Sequence, residues 1–127
     1  MKAIRVLPVL LLCVGSITAA ACAPSTSGPR ASAPDSGNTG AGRAAIARYG
    51  CGSCHTIAGI DGAGAHVGPP LDGFARRRMI AGHITNNADN LERWIRFPQS
   101  VVPGSAMPDM GVSEQDARDI VAYLYAH

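Results

Sequence analysis

A short motif with two cysteines and one histidine carries the clearest chemistry in the sequence. Cys51-Gly52-Ser53-Cys54-His55 is a C-x-x-C-H motif. Two thiols three positions apart can reach the two vinyl groups on one side of a porphyrin, and the imidazole of the next residue then lies under the iron as an axial ligand. The motif predicts one covalently attached haem c, bound by Cys51 and Cys54, with His55 as a metal ligand.

Three other interpretations of the motif compete with haem attachment. A structural zinc site would need a second pair of ligands, and no further cysteine or clustered histidine pair follows in the folding unit. A thioredoxin-like redox pair would need a βαβ pattern, which the sequence lacks. A coincidental motif is the third alternative, and the export signal and the ligand loop described below argue against it.

An electron-carrying haem usually needs a second axial ligand. The side chains with a suitable sulfur or nitrogen are Met79, Met107, Met110, His66, His83 and His127. His66 lies in a glycine-rich segment, His83 ends a short predicted helix and His127 is the last residue, so we expect all three at the surface. We expect Met79 to pack against apolar surface.

The N-terminal residues have the layout of a secretory signal peptide. Lys2 and Arg5 precede an apolar run over residues 6–14, and three alanines follow at 19–21. The apolar run is too short for a membrane-spanning helix, which needs about 20 residues. We therefore predict a signal peptide over residues 1–21 and a location on the periplasmic side of a bacterial membrane.

Cys22 directly follows the alanines. Residues 18–22 resemble a bacterial lipoprotein signal, in which the cysteine becomes the lipidated first residue, although the pattern prefers leucine where Ala19 stands. Residues 22–41 are mostly Pro, Ser, Thr, Gly and Ala without an apolar period, which predicts a flexible tether. A lipid on Cys22 would anchor the protein to the membrane. The alternative is an ordinary cleavage site that precedes a cysteine by chance.

The remaining residues, 42–127, form one small domain with balanced charge. Residues 40–127 contain eight arginines and eight acidic residues, and no lysine follows Lys2. Nucleic-acid binding needs an excess of clustered basic charge, so we exclude it. A domain of this size usually needs a covalent or metal staple. Cys51 and Cys54 are too close for a useful structural disulfide, so the haem is the expected staple.

The sequence predicts helices separated by long loops, and no segment alternates convincingly enough to be a strand. We predict helices over residues 43–49 and 74–82, a third opened by a capping box at Asp89 and Glu92 and ended by Pro98, and a C-terminal helix opened by Ser113 and Asp116. Residues 56–70 and 99–112 are rich in glycine or proline and should be loops. The stripe expected to be buried on the last helix is Ala117, Ile120, Val121 and Leu124.

Four segments, correctly ordered and spaced, resemble the class I cytochrome c family. Gly42 and the bulky residue four positions later resemble its N-terminal helix, and residues 68–73 (Gly-Pro-Pro-Leu-Asp-Gly) its G-P-x-L-x-G loop. Residues 103–107 (Pro-Gly-Ser-Ala-Met) resemble the loop with the ligand methionine, and residues 120–124 the C-terminal helix, which Gly42 would allow to approach closely. The resemblance implies an all-α class I cytochrome c fold: three to five short helices around one covalent haem, with long loops.

The resemblance also implies the iron ligands. His55 would be the proximal ligand and Met107 the distal one, and the Pro69 carbonyl would accept a hydrogen bond from the other ring nitrogen of His55. Met110 stands just before Gly111 and the cap of the last helix, so we expect it to pack beneath that helix.

Further residues would surround the haem if the resemblance holds. Leu71, Trp94 and Ile95 would form its walls, and Ser105 or Trp94 would donate a hydrogen bond to a propionate. Among the arginines at 76–78, Arg77 is the expected cation near a propionate, and the others are expected to be solvated.

Histidine and methionine ligands together saturate a haem iron and raise its potential, which favours single-electron transfer over catalysis. Residues 91–110 look most like the cytochrome c domain fused to subunit II of some haem–copper oxidases. This resemblance implies a monomeric carrier of a respiratory chain, with the cytochrome bc1 complex as donor and a terminal oxidase as acceptor. The alternatives are a fixed cytochrome subunit of an oxidase complex, and a haem-based gas sensor or peroxidase-like enzyme from which Met107 dissociates.

Overall fold

The computed structural model describes residues 30–127, whose regular structure is mostly helical. These residues form the helices α1 (Thr39–Arg48), α2 (Ala88–Arg96), α3 (Pro98–Val101) and α4 (Glu114–Ala126). Two 3₁₀ turns, Cys51–Ser53 and Phe74–Arg76, and an antiparallel hairpin of β1 (Met79–Ile80) with β2 (Ile84–Thr85) complete the described elements. Long segments join α1 to α2 and α3 to α4, as the predicted fold requires, whereas only Phe97 separates α2 from α3.

The predicted signal peptide and the predicted lipidation site lie outside the described residues. Within residues 30–127, no helix is long and apolar enough to cross a membrane.

Helices α1 and α4 cross closely, and Gly42 permits the crossing. A Cβ atom at Gly42 would lie 3.0 Å from the Cβ of Tyr123 and would overlap the backbone of Asp119. The predicted role of Gly42 is therefore confirmed. Helix α1 begins four residues earlier than predicted, because the Asn38 side chain caps it and accepts a hydrogen bond of 2.8 Å from the Ala41 N–H.

The carboxylate of Asp116 joins the two helices at the other end of the crossing. It accepts hydrogen bonds of 2.8 Å from the hydroxyls of Ser113 and Tyr49, and it pairs with the Arg48 guanidinium at 2.6 Å. These contacts, the one from Ser113 above all, lower the pKa of Asp116 to about 2 and keep the carboxylate ionised at neutral pH. The Ser113 hydroxyl also accepts the Asp116 N–H at 3.2 Å, so the predicted cap of α4 is confirmed.

The core lies between α4 and the elements packed around it. The predicted buried stripe of α4 is confirmed at Ala117, Ile120, Val121 and Leu124, and Ala122, Tyr123 and Tyr125 are buried as well. Ile46 of α1 and Leu91 of α2 are each 1% exposed and belong to the same cluster. Helix α4 is therefore covered on several faces, which makes it the central element of the domain.

Residues 30–38 lie against the domain, where the sequence predicted the end of a flexible tether. The Arg30 guanidinium donates to the Tyr125 carbonyl at 3.0 Å. The Asn38 N–H donates to the buried carboxylate of Asp119 at 2.8 Å. These contacts are made by backbone groups and one arginine side chain. They require no periodic apolar residues, so the sequence did not predict them. The part of the predicted tether that precedes Arg30 lies outside the described residues.

The predicted helix over residues 74–82 is wrong beyond its first turn. The 3₁₀ turn ends at Arg76, and the chain then enters the β1–β2 hairpin, so the expectation of no strands is wrong too. Ala81 and Gly82 form the hairpin turn with φ angles of 49° and 75°, a left-handed conformation that a right-handed helix cannot contain.

The buried side chain of Asn86 stabilises this non-helical segment. Its amide donates to the carbonyls of Phe74 and Arg77 at 2.8 and 3.0 Å, and it accepts a hydrogen bond of 2.6 Å from the Tyr125 hydroxyl. Burial raises the pKa of Tyr125 to about 12, so the phenol remains a donor. These hydrogen bonds span long stretches of sequence, which explains why local periodicity predicted a helix.

The predicted N-terminal cap of α2 is wrong. Asn87, not Asp89, caps α2, and its side chain accepts the Asn90 N–H at 2.8 Å. The helix ends before Pro98, as predicted. Pro98 then begins α3, so the predicted loop over residues 99–112 is helical in its first residues.

We expect Gly42→Ala to lower the free energy of unfolding by about 2 kcal/mol or more, because the added Cβ would push α4 away from α1. Gly40→Ala is the matched control in the same helix. A Cβ there would contact only the Asn38 side-chain oxygen, at 3.3 Å, and alanine has the better helix propensity. Denaturant unfolding of the purified protein measures both variants. Equal losses of stability would contradict the close crossing.

Candidate cofactor site

All eight site residues predicted from the sequence line the same cavity, whose volume is about 350 Å³. They are Cys51, Cys54, His55, Pro69, Leu71, Trp94, Ser105 and Met107. Most of the other lining side chains are apolar, among them Ile46, Ile57, Phe74, Leu91, Ile95, Ile120 and Leu124. A mainly apolar cavity with a few polar groups is typical of a cofactor site.

The first wall of the cavity is the tight turn that follows α1. Gly50, at φ 68°, ends the helix, and the 3₁₀ turn Cys51–Ser53 follows directly. The N–H groups of Cys54 and His55 both donate to the Cys51 carbonyl, at 3.2 and 3.1 Å. Cys51 and Cys54 are not joined by a disulfide, and burial raises the pKa of the Cys51 thiol. The turn therefore places two free thiols and an imidazole on the cavity within five residues.

The loop that follows orients the His55 ring. Its Nδ1 lies 2.7 Å from the Pro69 carbonyl oxygen, the contact that the resemblance predicted. A carbonyl can only accept, so Nδ1 carries the proton and the lone pair of Nε2 is free for a metal ion. Gly68 packs closely against the ring, since a Cβ there would overlap Cε1 and lie 2.6 Å from Nδ1. Sequence reasoning identified Gly68 only as a member of the loop motif and missed this packing.

The cavity separates the six candidate axial ligands into two groups. Met79, Met107 and Met110 line it, whereas His66, His83 and His127 do not. The three histidines are exposed, as predicted. Met79 lies in β1 and is 43% exposed, which is less buried than its predicted packing implied.

The prediction for Met110 is wrong. Its side chain is 41% exposed and lines the cavity, and it does not pack beneath α4. Gly111 adopts φ 64°, and its N–H donates to the Asp109 carboxylate at 2.9 Å. This turn brings Val112, which is 7% exposed, into the core at the place expected for Met110.

The polar groups at the cavity differ in what they already bind. The Ser105 hydroxyl donates to the Met107 carbonyl at 3.3 Å, whereas the Trp94 indole N–H has no hydrogen-bond partner within residues 30–127. Arg77 is the only one of the three consecutive arginines that lines the cavity. It lies 4.8 Å over the Phe74 ring and donates to the Pro70 carbonyl, and burial lowers its pKa.

Sequence reasoning also missed Gln99, in α3. Its side chain makes hydrogen bonds to the loop that carries Met107. No pattern in the sequence indicates these bonds, because they depend on how the loop folds back over the helix.

The comparison with protein families agrees with this site. The family model described as "Cytochrome c" matches residues 40–126. The chain belongs to the cytochrome c family. Its cofactor is therefore covalently bound haem c, and Cys51 and Cys54 lie in the C-x-x-C-H region where such a haem is expected to attach.

The residues of the cavity fit this cofactor. The cytochrome c domain offers two thiols free of a disulfide, an imidazole with a free Nε2 and thioethers, all between apolar walls. Within residues 30–127, no group of three or more His, Cys, Asp or Glu side chains is arranged to bind a metal ion directly.

Three curated relatives are named "Cytochrome c oxidase subunit 2". The protein of Alkalihalophilus pseudofirmus is 40% identical over 84 residues, which are 65% of this chain and 24% of the relative. That of Bacillus sp. (strain PS3) is 38% identical over 65 residues, 50% of this chain and 18% of the relative. That of Bacillus subtilis is 33% identical over 73 residues, which are 53% of this chain and 20% of the relative. The chain spans less than a quarter of the length of each relative, and no solved structure matches it significantly.

We expect one haem to remain attached to the denatured cytochrome during extraction with acidified organic solvent, because thioether bonds to Cys51 and Cys54 survive unfolding. A double variant, Cys51→Ser with Cys54→Ser, should release any haem that it binds. Cys22→Ser, outside the domain, is the control and should retain it. Mass spectrometry of the extracted protein measures the attached haem, and release from the native chain would contradict covalent attachment.

Proposed function

We propose that this cytochrome c domain carries single electrons, with the haem iron bound by His55 and Met107. The observation that carries the proposal is the shared cavity, in which an imidazole with a free Nε2 and a thioether meet between apolar walls. Haem c supplies a centre that accepts and returns one electron. A histidine and a methionine would together saturate the iron and leave no position for a substrate, so we propose that the chain is not itself an enzyme.

The chain's own residues prepare the site for this role. The Pro69 carbonyl holds His55 in one tautomer and one orientation, which also makes Nε2 a better donor. Leu71, Trp94 and Ile95 line the cavity with apolar side chains. An apolar site with a thioether ligand favours the reduced, less charged state, so these residues should raise the reduction potential.

Among the three methionines at the cavity, Met107 is the best placed to be the ligand. Met79 is 43% exposed and its backbone is engaged in the β1–β2 hairpin, and Met110 is 41% exposed. Met107 is half-buried, and its carbonyl accepts hydrogen bonds from Gln99 and Ser105. A ligand in a held loop loses less conformational freedom on binding than one on a mobile surface.

We expect Met107→Ala to remove the weak red iron–sulfur band of the oxidised protein, lower the reduction potential and allow carbon monoxide to bind the reduced protein. Met110→Ala is the matched control three residues away at the same cavity, and it should keep the band. Absorption spectra of the two holoproteins decide between them. If Met110→Ala loses the band and Met107→Ala keeps it, Met110 is the ligand.

A redox titration with spectra at each potential tests the electron-carrier role as a whole. We expect one transition that follows a one-electron Nernst curve, with a haem c spectrum in both states and no change on addition of carbon monoxide to the reduced protein. Ready binding of carbon monoxide to the native protein would instead support the gas sensor or peroxidase-like enzyme.

The relatives indicate the partner to test first. Since they are named cytochrome c oxidase subunit 2, we propose a terminal oxidase of a respiratory chain as electron acceptor. The cytochrome bc1 complex is the donor implied by the resemblance of the sequence. If the protein is a monomeric carrier, its reduced form should be oxidised rapidly when it is mixed with the purified oxidase.

A fixed subunit of an oxidase complex is the second candidate, and the names of the same relatives favour it. The chain matches only a part of each relative. The two roles differ in whether this chain remains bound to an oxidase complex or moves between complexes. Stoichiometric co-purification with the oxidase, and loss of the complex on deletion of the gene, would support the fixed subunit over the carrier.

The membrane location follows from the predicted leader. We propose that the mature protein starts at a lipidated Cys22 and lies on the periplasmic side of the membrane. Residues 30–38 contact the domain, and the part of the predicted tether that precedes Arg30 lies outside the described residues. An anchor at Cys22 would keep the domain near the membrane surface and the complexes in it.

Mass spectrometry of the mature N-terminus tests this location. We expect a diacylglyceryl-modified Cys22 and recovery of the protein with the membrane fraction, and we expect Cys22→Ser to appear in the soluble fraction with its haem intact. A water-soluble native protein that begins with an unmodified Cys22 would show that the leader is cleaved without lipidation.

A further inference from the structure

The loop that carries Met107 is held by few hydrogen bonds of its own backbone. The Ser105 N–H donates to the Val102 carbonyl at 3.1 Å, which closes the turn after α3. From residue 106 to residue 112, no backbone group makes a hydrogen bond to the backbone of another described residue. The Met107 carbonyl is bound only by side chains of the described residues, those of Gln99 and Ser105. The position of Met107 therefore depends on side chains.

Gln99 supplies most of these side-chain contacts. Its Nε2, which carries two hydrogens, donates to the Met107 carbonyl at 2.8 Å and to the Ser105 carbonyl at 3.0 Å, and the Ser105 hydroxyl oxygen lies 3.2 Å away. Its Oε1 accepts the Gly104 N–H at 3.0 Å. A backbone N–H can only donate, so it defines which end of the amide is the oxygen. Both ends of one amide thus bind one turn of the loop.

The base from which Gln99 acts is fixed. Gln99 follows Pro98, whose ring is among the most completely buried side chains in residues 30–127. The Val102 N–H donates to the Pro98 carbonyl at 2.9 Å, which closes the single turn of α3. The amide therefore connects the loop to an anchored helix turn.

We propose that Gln99 is a positioning residue that holds Met107 on the haem iron. The proposal rests on the proposed ligation by Met107. Without the amide, the carbonyl of Met107 keeps only the 3.3 Å bond from Ser105, and the loop is free to swing the thioether away. In the native protein, the thioether would be away from the iron in only a small fraction of molecules, and Gln99 would determine how small that fraction is.

Imidazole binding to the oxidised holoprotein measures this population. An added ligand must wait for the thioether to leave, so its apparent affinity is scaled by the open fraction. Loss of several hydrogen bonds is expected to raise that fraction, and with it the imidazole affinity of Gln99→Ala, about tenfold. Gln99→Glu should bind imidazole at least as tightly as Gln99→Ala, because a carboxylate faces two carbonyl oxygens in place of an N–H donor.

Ser100→Ala is the matched control. Ser100 is the next residue of α3, it is exposed, and its hydroxyl donates only to the Phe97 carbonyl at 2.8 Å. We expect its imidazole affinity to equal that of the native protein. The double variant Gln99→Ala with Met107→Ala should bind imidazole as Met107→Ala alone does, because Gln99 acts through the thioether.

The outcomes separate this inference from the proposed function. If Met107→Ala leaves imidazole affinity unchanged, Met107 is not the ligand, and both proposals fail. If Met107→Ala opens the iron but both Gln99 variants bind imidazole like the native protein, only the role of Gln99 is wrong. Equal effects of Ser100→Ala and Gln99→Ala, or a loss of unfolding stability in Gln99→Ala with unchanged affinity, would likewise reduce Gln99 to a structural residue.

Discussion

The close crossing of α1 and α4 at Gly42 is the constraint on which the rest of the domain depends. The C-x-x-C-H turn starts three residues after α1 ends, so the angle of α1 on α4 sets where the two thiols and the imidazole stand. A side chain at Gly42 would separate the helices and move the turn with them. The Asp116 carboxylate of α4 holds the C-terminal end of α1, directly before the turn, through its contacts with Arg48 and Tyr49.

The site itself is built by loops that the helices hold in place. The loop after the haem motif is tied to α4 because the Tyr123 hydroxyl donates to the Ala58 carbonyl at 2.7 Å. Its return past His55 is fixed by the Gly68 N–H, which donates to the Cys54 carbonyl at 2.8 Å. The loop that carries Met107 is held by hydrogen bonds to the side chain of Gln99. Each of the two proposed iron ligands thus receives its position from hydrogen bonds to a neighbouring segment, so the helical frame and the loops act together.

The N-terminal segment is part of the packing of the domain. Arg30 and Asn38 both contact α4, and the Asn38 side chain also caps α1. The segment therefore has a structural role beyond that of a spacer.

The amino-acid sequence alone determined the features whose chemistry is local. Cys51, Cys54 and His55 are recognisable because haem attachment needs them within five residues, and the cap and buried stripe of α4 follow from helical spacing. The eight predicted site residues also line one cavity. They could be chosen from the sequence because most of them lie in segments that resemble the cytochrome c family.

Only the tertiary structure decided the features that depend on distant groups. Residues 79–85 form a hairpin because Asn86 binds carbonyls of the preceding turn and the hydroxyl of Tyr125. Residues 30–38 are ordered because Asp119, far along the chain, accepts the Asn38 N–H. Met110 faces the cavity because of the turn at Gly111, and Gln99 reaches the methionine loop, five to eight residues along the chain, because that loop folds back over α3. Neither the distant hydrogen bonds nor these turns leave a periodicity in the sequence, so they become visible only once the chain has folded.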